Sequence, residues 1–299
     1  MKKIDSVKKI IIVILVILFI SVAILKIINL TKTTELLQLG NSGHSQMMGY
    51  ILKTENDKVI VIDGGTSEDT QNLINEINNI SGKVDYWFIT HPHQDHASCF
   101  IDIVENTQIP IGEVYVTLNS EEWYNQHGGS RKEEAIRFIN TLKNEKLKSK
   151  VQEVTLNQII QIDNIKCEIL GTKNPEIVEN SINNSSMVIK MDTLKNSILF
   201  LGDTGIESGN KLLENQKEKL KSDIVQMAHH GQSGVTEEVY KVINPSICLW
   251  PTPNWLWIND SGNGEDSGPW KTKETKKWIQ NLEIKRNIIE KDGNTKIQI

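Results

Sequence analysis

Cysteine is scarce. Cys99, Cys167 and Cys248 are the only three in 299 residues, odd in number and far apart. That spacing speaks against a disulfide framework or a thiolate zinc site and leaves small apolar packing as their role. Seven prolines and nineteen glycines leave little room for long disordered stretches, and no internal repeat is visible. No G-x-S-x-G elbow and no P-loop occurs, so neither competes as the source of chemistry. Histidine is absent from the whole stretch between His127 and His229.

What is present divides the chain in two. The run "KKIIIVILVILFISVAILKIINL" spans Lys8 to Leu30 and is apolar from Ile10 to Leu25 except at Ser21. About 20 residues are needed to cross a bilayer as a helix, and the run reaches that length if Lys26 snorkels. Lys2, Lys3, Lys8 and Lys9 precede it, which places the N-terminus in the cytoplasm and the remainder outside. The expected layout is a basic cytoplasmic tail (1–9), a transmembrane anchor (10–30), a linker (31–37) and one extracellular domain (38–299). The chain would then be a single-pass protein of the cell membrane. A cleaved signal peptide, giving a secreted protein, is the competing reading, but no small-x-small cleavage site follows the run.

Charge follows the same division. Residues 1–30 carry five lysines and one aspartate, a net of +4, which leaves −9 on the body out of a total of −5. An acidic body lacks the basic footprint of a tight nucleic-acid binder; a local basic groove would be needed for that partner. Nothing in the sequence sets an oligomeric state.

The body alternates strands and helices, which predicts an α/β fold of mixed sheets with helices outside. "QMMGYILKT" and "KVIVI" form a hairpin around Glu55-Asn56-Asp57. "TSEDTQNLINEINNI" is a helix with Ser67 as N-cap and Leu73, Ile74, Ile77 and Ile80 on one face. "VDYWFIT" (84–90) is a buried strand, and Arg131–Lys146 is amphipathic. "KCEIL", "SMVIKM", "SILFLG" and "DIVQMA" are strands, followed by a helix near Thr272–Leu282 and the strands "NIIE" and "KIQI".

The strand "VDYWFIT" ends directly on "HPHQDH". His91 and His93 stand two apart on an extended loop, so both rings can point one way. Asp95 and His96 follow where the loop turns into a helix. Four ligand-type residues in six positions make a metal-binding loop, able to serve one ion with two ligands and a neighbour with two.

The H-x-H-x-D-H pattern of His91, His93, Asp95 and His96 resembles that of the metallo-β-lactamase fold hydrolases. "VIDGG" with Asp63, "FLGD" with Asp203 and "AHHG" with His229 and His230 stand in the same order as in that family. "NNSSMVIK", "FLGD" and "AHHGQSG" are most similar to the hydrolase-like domain attached to bacterial competence channels, the ComEC-like branch. That branch's multi-helix channel has no counterpart here. The resemblance covers roughly residues 38–299 and implies a four-layered αββα sandwich, preceded here by one N-terminal transmembrane helix. It implies two divalent metal ions, zinc or manganese. His91 and His93 would hold the first, and Asp95, also a catalytic group, and His96 the second, with Asp203 bridging. Of the histidine pair, His230 is the expected ligand and His229 a catalytic, substrate-facing acid or phosphate contact. Asp63 would orient an imidazole through its other nitrogen.

One departure matters. The wider family supplies a further histidine before the bridging aspartate, where this chain has Asn183-Asn184-Ser185-Ser186. The competence-like branch shows the same substitution. Fewer imidazoles and two carboxylates make manganese a rival to zinc. Asn184 or Ser186 could donate a hydrogen bond to substrate, or only form a turn. His44 is expected at the surface.

Two such ions can activate a water at neutral pH and stabilise charge on a phosphoryl or carbonyl oxygen. The favoured function is hydrolysis of a small or polymeric phosphodiester or phosphomonoester at the cell surface. Lactam, lactone or thioester hydrolysis is the second reading, and a non-catalytic competence-associated surface module the third. Four of the seven tryptophans lie in 248–270, a stretch expected to be a long loop. Trp255 and Trp257 there could form an aromatic wall for the substrate, or pin the loop to the body.

Overall fold

The computed structural model describes residues 11–22 and 33–299. Residues 11–22 are helical (α1), with their large apolar side chains exposed. Much of the expected anchor, and the whole basic tail, lies outside the described residues. Among the described residues no helix is long and apolar enough to cross a membrane.

Fourteen strands in the described residues form two sheets of seven. The first sheet takes β1 (Glu35–Gln38), β2 (Gly49–Lys53), β3 (Val59–Asp63), β4 (Val84–Phe88), β5 (Ile111–Val116) and β6 (Val151–Glu153), with the C-terminal strand Thr295–Gln298 (β14) beside β1. The second takes β7 (Ile159–Ile162), β8 (Ile165–Gly171), β9 (Val188–Asp192), β10 (Ser197–Phe200), β11 (Ile224–Gln226), β12 (Ile247–Trp250) and β13 (Arg286–Ile289). Each sheet is antiparallel on one side and parallel on the other: β3 to β6 run parallel in the first, β10 to β13 in the second.

The strands are apolar on both faces because both faces are covered. In β3, Ile60 and Ile62 face the inter-sheet core with Phe88, Ile189 and Phe200, whereas Val59 and Val61 face outward. The outward face packs on Leu73 and Ile77 of α2 (Thr70–Ile80), Phe100 of α3 (Gln94–Asn106) and, past the short α4 (Glu121–His127), Phe138 of α5 (Lys132–Leu142). The far side of the second sheet packs Val225 and Trp250 on Leu212 of α6 (Ile206–Asn215), Tyr240 of α7 (Glu237–Ile243) and Ile279 of α9 (Thr272–Gln280). The layers are therefore helix, sheet, sheet, helix. Each fully buried Ile, Val or Leu is worth roughly 1.5–3 kcal/mol over exposure, so an Ile62→Ala truncation would open a cavity between the sheets.

Three expectations are corrected. Residues 35–37, read as the end of a linker, belong to β1, which pairs with both β2 and β14. Leu36 and Leu37 are both buried because the strand lies inside the sheet. Ser67 is not the cap of α2: it opens a 3-10 turn, Ser67–Asp69, that is capped at Thr66 and leads into α2 from Asp69, and the Asp69 carboxylate accepts from the Thr66 N–H at 3.0 Å and its hydroxyl at 2.6 Å. The tryptophan-rich stretch is not wholly loop, since Asn254–Trp257 forms a short helix, α8.

Candidate metal centre

The parallel strands of both sheets end at one rim, where α/β folds place their ligands. Asp63 ends β3, and His91 lies three residues past β4. Asp203 lies three past β10, and His229 and His230 lie just past β11.

The turns that present these side chains are unusual in their backbone. Asp63, His229 and His230 have φ of 55°, 49° and 56°, a left-handed conformation costing a non-glycine residue about 1–2 kcal/mol. Gly231 continues the turn at φ 73°, and a Cβ there would stand 2.5 Å from the Trp250 ring. Gln226 fixes the neighbouring turn, which carries Asp203. Its Oε1 accepts from the N–H groups of Leu201 and Gly202, both at 2.7 Å, and its amide donates to the Gly202 and Met227 carbonyls.

Hydrogen bonds settle which ring nitrogen of each buried histidine is left to face the centre. His96 Nδ1 lies 2.8 Å from Asp63 Oδ2, so it carries the proton and leaves Nε2 free. His230 Nδ1 lies 2.8 Å from the Pro251 carbonyl, with the same consequence. Thr90 spends its hydroxyl proton on Asp63 Oδ2 at 2.8 Å, so its oxygen accepts from His91 Nδ1 at 3.1 Å. Asp63 therefore organises the site without facing its centre, receiving the Thr90 N–H at 2.7 Å as well.

The inward-facing nitrogens converge on two carboxylates. His96 Nε2 lies 3.3 Å from Asp203 Oδ1, and His91 Nε2 3.7 Å from Asp203 Oδ2. His230 Nε2 lies 3.4 Å from Asp95 Oδ2 and 3.6 Å from Asp203 Oδ2. His93 Nδ1 is 3.1 Å from His91 Nε2. Ligands about 2.0–2.1 Å from one tetrahedral ion lie roughly 3.3 Å apart, so these separations suit a shared cation. His96 Nε2, His230 Nε2 and Asp203 Oδ1 are buried and make no hydrogen bond, which is the condition of atoms meant for metal. Two ligand groups result, His91–His96–Asp203 and Asp95–His96–His230.

The electrostatics agree with that fit. Burial would lift the Asp203 carboxyl, but the charges of His96, His230 and His229 hold it well below the usual range. Asp95 is likewise lowered, burial being outweighed by the nearby imidazoles of His230 and His96. Burial depresses His91 and His93. His230, despite burial, is lifted to about 10 by Asp203 and then Asp95, and His96 is raised by Asp203 and Asp63. Two ionised carboxylates thus form a well that draws cations, and a bound metal would displace protons from His96 and His230.

The other expected residues fall in different places. His229 is 17% exposed at the mouth, its Nε2 3.8 Å from Asp203 Oδ2 and 3.3 Å from Asn183 Nδ2. Asn184 turns away: its Oδ1 accepts from Ser208 Oγ at 2.8 Å and its amide donates to Glu207 at 2.9 Å, so it braces α6 rather than facing substrate. Ser186 sits beneath the centre, its Oγ 3.3 Å from His91 Nδ1 and accepting the Asp203 N–H at 3.1 Å. His44 is exposed, and its carbonyl accepts from Trp255 Nε1 at 2.7 Å. Trp257 packs edge-on against Trp250 and under the Lys276 ammonium, so it serves the outer helix layer, not a substrate wall. Residues 33–299 thus bring together His91, His93, Asp95, His96, Asp203, His229 and His230. Thr90, Gln226, Gln46 and Asn183 are additional members. Only Gln226 had a signal, a polar residue inside the apolar run "DIVQMA".

Comparison with known proteins agrees with the geometry. Bacillus subtilis (strain 168) ComE operon protein 3 is 26% identical over 175 residues, 56% of this chain and 20% of that protein. The chain thus spans about a fifth of that relative's length. Among solved structures, the metallo-beta-lactamase fold protein YhfI of Bacillus subtilis superposes with a TM-score of 0.53 at 10% identity, covering 89% of this chain and all of that one. CmlA, a diiron β-hydroxylase from Streptomyces venezuelae, superposes with a TM-score of 0.55 at 11% identity, over 90% of this chain and 54% of its own. These two similarities establish a common fold. The sequence pattern of the metallo-beta-lactamase superfamily matches residues 48–239, so the chain belongs to that superfamily.

Proposed function

We propose that the chain is a dinuclear metal-dependent hydrolase of phosphodiesters or phosphomonoesters, anchored at the cell surface by its N-terminal apolar run. The observation that carries this reading is Asp203, whose two oxygens lie 3.3 to 3.8 Å from ring nitrogens of His91, His96, His229 and His230. One carboxylate so placed would serve two cations. His91 and His93 would hold the first and Asp95, His96 and His230 the second.

Bound divalent ions would supply an acidified water and neutralise charge on the reacting phosphoryl oxygens. The chain's own groups do the rest. Asp95, 13% exposed, is placed to take the water's proton at Oδ1, while Oδ2 stays engaged with Gln46. His229, at the mouth, is placed to give a proton from Nε2 to the leaving oxygen. One observation favours a phosphoester over a carbonyl substrate. The first nitrogen set lacks a third histidine, Ser186 and Asn183 standing nearby instead, and a set with fewer imidazoles and two carboxylates suits manganese as well as zinc. The body's net charge of −9 makes nucleic acid the less favoured phosphodiester.

The test is a turnover screen of the metal-loaded chain on model phosphodiesters, phosphomonoesters, lactones and cephalosporins. Hydrolysis of a phosphoester, abolished by chelation and restored by zinc or manganese, is expected. Turnover of carbonyl substrates alone would overturn the assignment.

A further inference from the structure

Asp95 is held from outside the histidine cluster by a residue remote in sequence. Gln46 Nε2 donates to Asp95 Oδ2 at 2.9 Å, the same oxygen that faces His230 Nε2 at 3.4 Å. Gln232 Nε2 in turn donates to Gln46 Oε1 at 3.0 Å, so the Gln46 amide cannot flip without losing both bonds. Gln232 is buried, and its carbonyl accepts from Thr275 Oγ1 of α9 at 3.3 Å.

The segment carrying Gln46 is fastened along its length. The Ser42 N–H donates to Asp69 Oδ1 at 2.7 Å, and Gly43 packs so closely on Glu68 that a Cβ would collide with its carboxylate. The His44 carbonyl takes the Trp255 indole N–H, and the Met48 N–H donates to the Asp95 carbonyl at 2.9 Å. Residues 42–48 are thus a strap that grips both the backbone and the carboxylate of Asp95. The tryptophan segment and α9 hold the strap.

We infer that Gln46, backed by Gln232, is a positioning residue that fixes Asp95 Oδ2 for the second metal ion and so sets that ion's affinity. This rests on the dinuclear reading above. A carboxylate ligand free to rotate loses preorganisation, and losing the partner that orients a ligand weakens metal binding by about 10–100-fold. Because Gln232 acts through Gln46, its removal should cost less, and removing both should cost no more than removing Gln46 alone.

The experiment titrates the full-length, chelator-stripped chain with zinc against a chromophoric competitor. It compares wild type, Gln46→Met, Gln232→Met and the double variant, methionine preserving volume without the amide. The expected result is a 10–100-fold weaker second site in Gln46→Met, an unchanged first site, and a metal-free melting temperature equal to wild type. Unchanged affinity at both sites would overturn the inference. So would equal weakening of both sites together with a lower metal-free melting temperature, which marks Gln46 as a fold residue only. A wild-type chain that takes up no ion would overturn the dinuclear reading along with it.

Discussion

The Asp63 carboxylate lies 2.8 Å from Nδ1 of His96, and the other nitrogen of that ring lies 3.3 Å from Asp203. One ring thus links a buried acid that faces away from the centre to the acid at its middle. Asp63→Asn should therefore keep the fold and weaken the site served by His96 by about 10–100-fold, through a ring no longer fixed in its tautomer. Metal titration of the variant beside wild type checks this. An affinity equal to wild type would show that His96 needs no such orientation.

The histidine pair separates by burial. His230 is fully buried with Nδ1 committed to the Pro251 carbonyl, whereas His229 stands at the mouth. His230→Ala should lower metal content, and His229→Ala should lower turnover at least tenfold with metal content intact, as befits a proton donor. Metal analysis and kcat on the two variants decide it, and the reverse pattern would exchange the roles.

Much of this site is legible in the sequence because it is local. His91 to His96 are contiguous and follow a buried strand, and Asp203 and His230 sit at the ends of apolar runs. What is not legible depends on rotation and distance. In the turn Asn183–Ser185, neighbouring side chains diverge, so sequence cannot say that Asn183 faces His229 while Asn184 faces α6. Gln46 is a lone amide on a polar loop, and only the tertiary fold brings it 49 residues forward to Asp95. β1 is too short to show a period, and its burial is set by partners at both ends of the chain.

Trp257 makes the same point about packing. Its contacts with Trp250 and Lys276 predict that Trp257→Ala costs roughly 2–4 kcal/mol, less than the largest values because the ring is only half-buried. KM should not change. Chemical denaturation and steady-state kinetics on the variant measure both, and a raised KM with intact stability would restore the ring to the substrate wall.

Glu290 offers a pH prediction. It is buried, neither carboxylate oxygen has a hydrogen-bond partner, and burial raises its pKa well above 4.5 even though His230 opposes the shift. The folded state therefore holds a proton that the unfolded chain releases. Its contribution to stability is complete below about pH 4.5 and is lost as pH rises toward the folded value, by up to about 1.4 kcal/mol per pH unit. Glu290→Gln should remove that loss, so its advantage over wild type should grow between pH 5 and pH 7 in urea unfolding with chelator present. A difference that stays constant with pH would show that the carboxyl is ionised in the folded chain.

The most direct test of the dinuclear account is metal stoichiometry of the wild-type chain beside Asp203→Ala, measured on the same preparation by elemental analysis. The account predicts two divalent ions per wild-type chain and fewer than one in the variant, because the shared carboxylate serves both. Two ions retained in Asp203→Ala would contradict it.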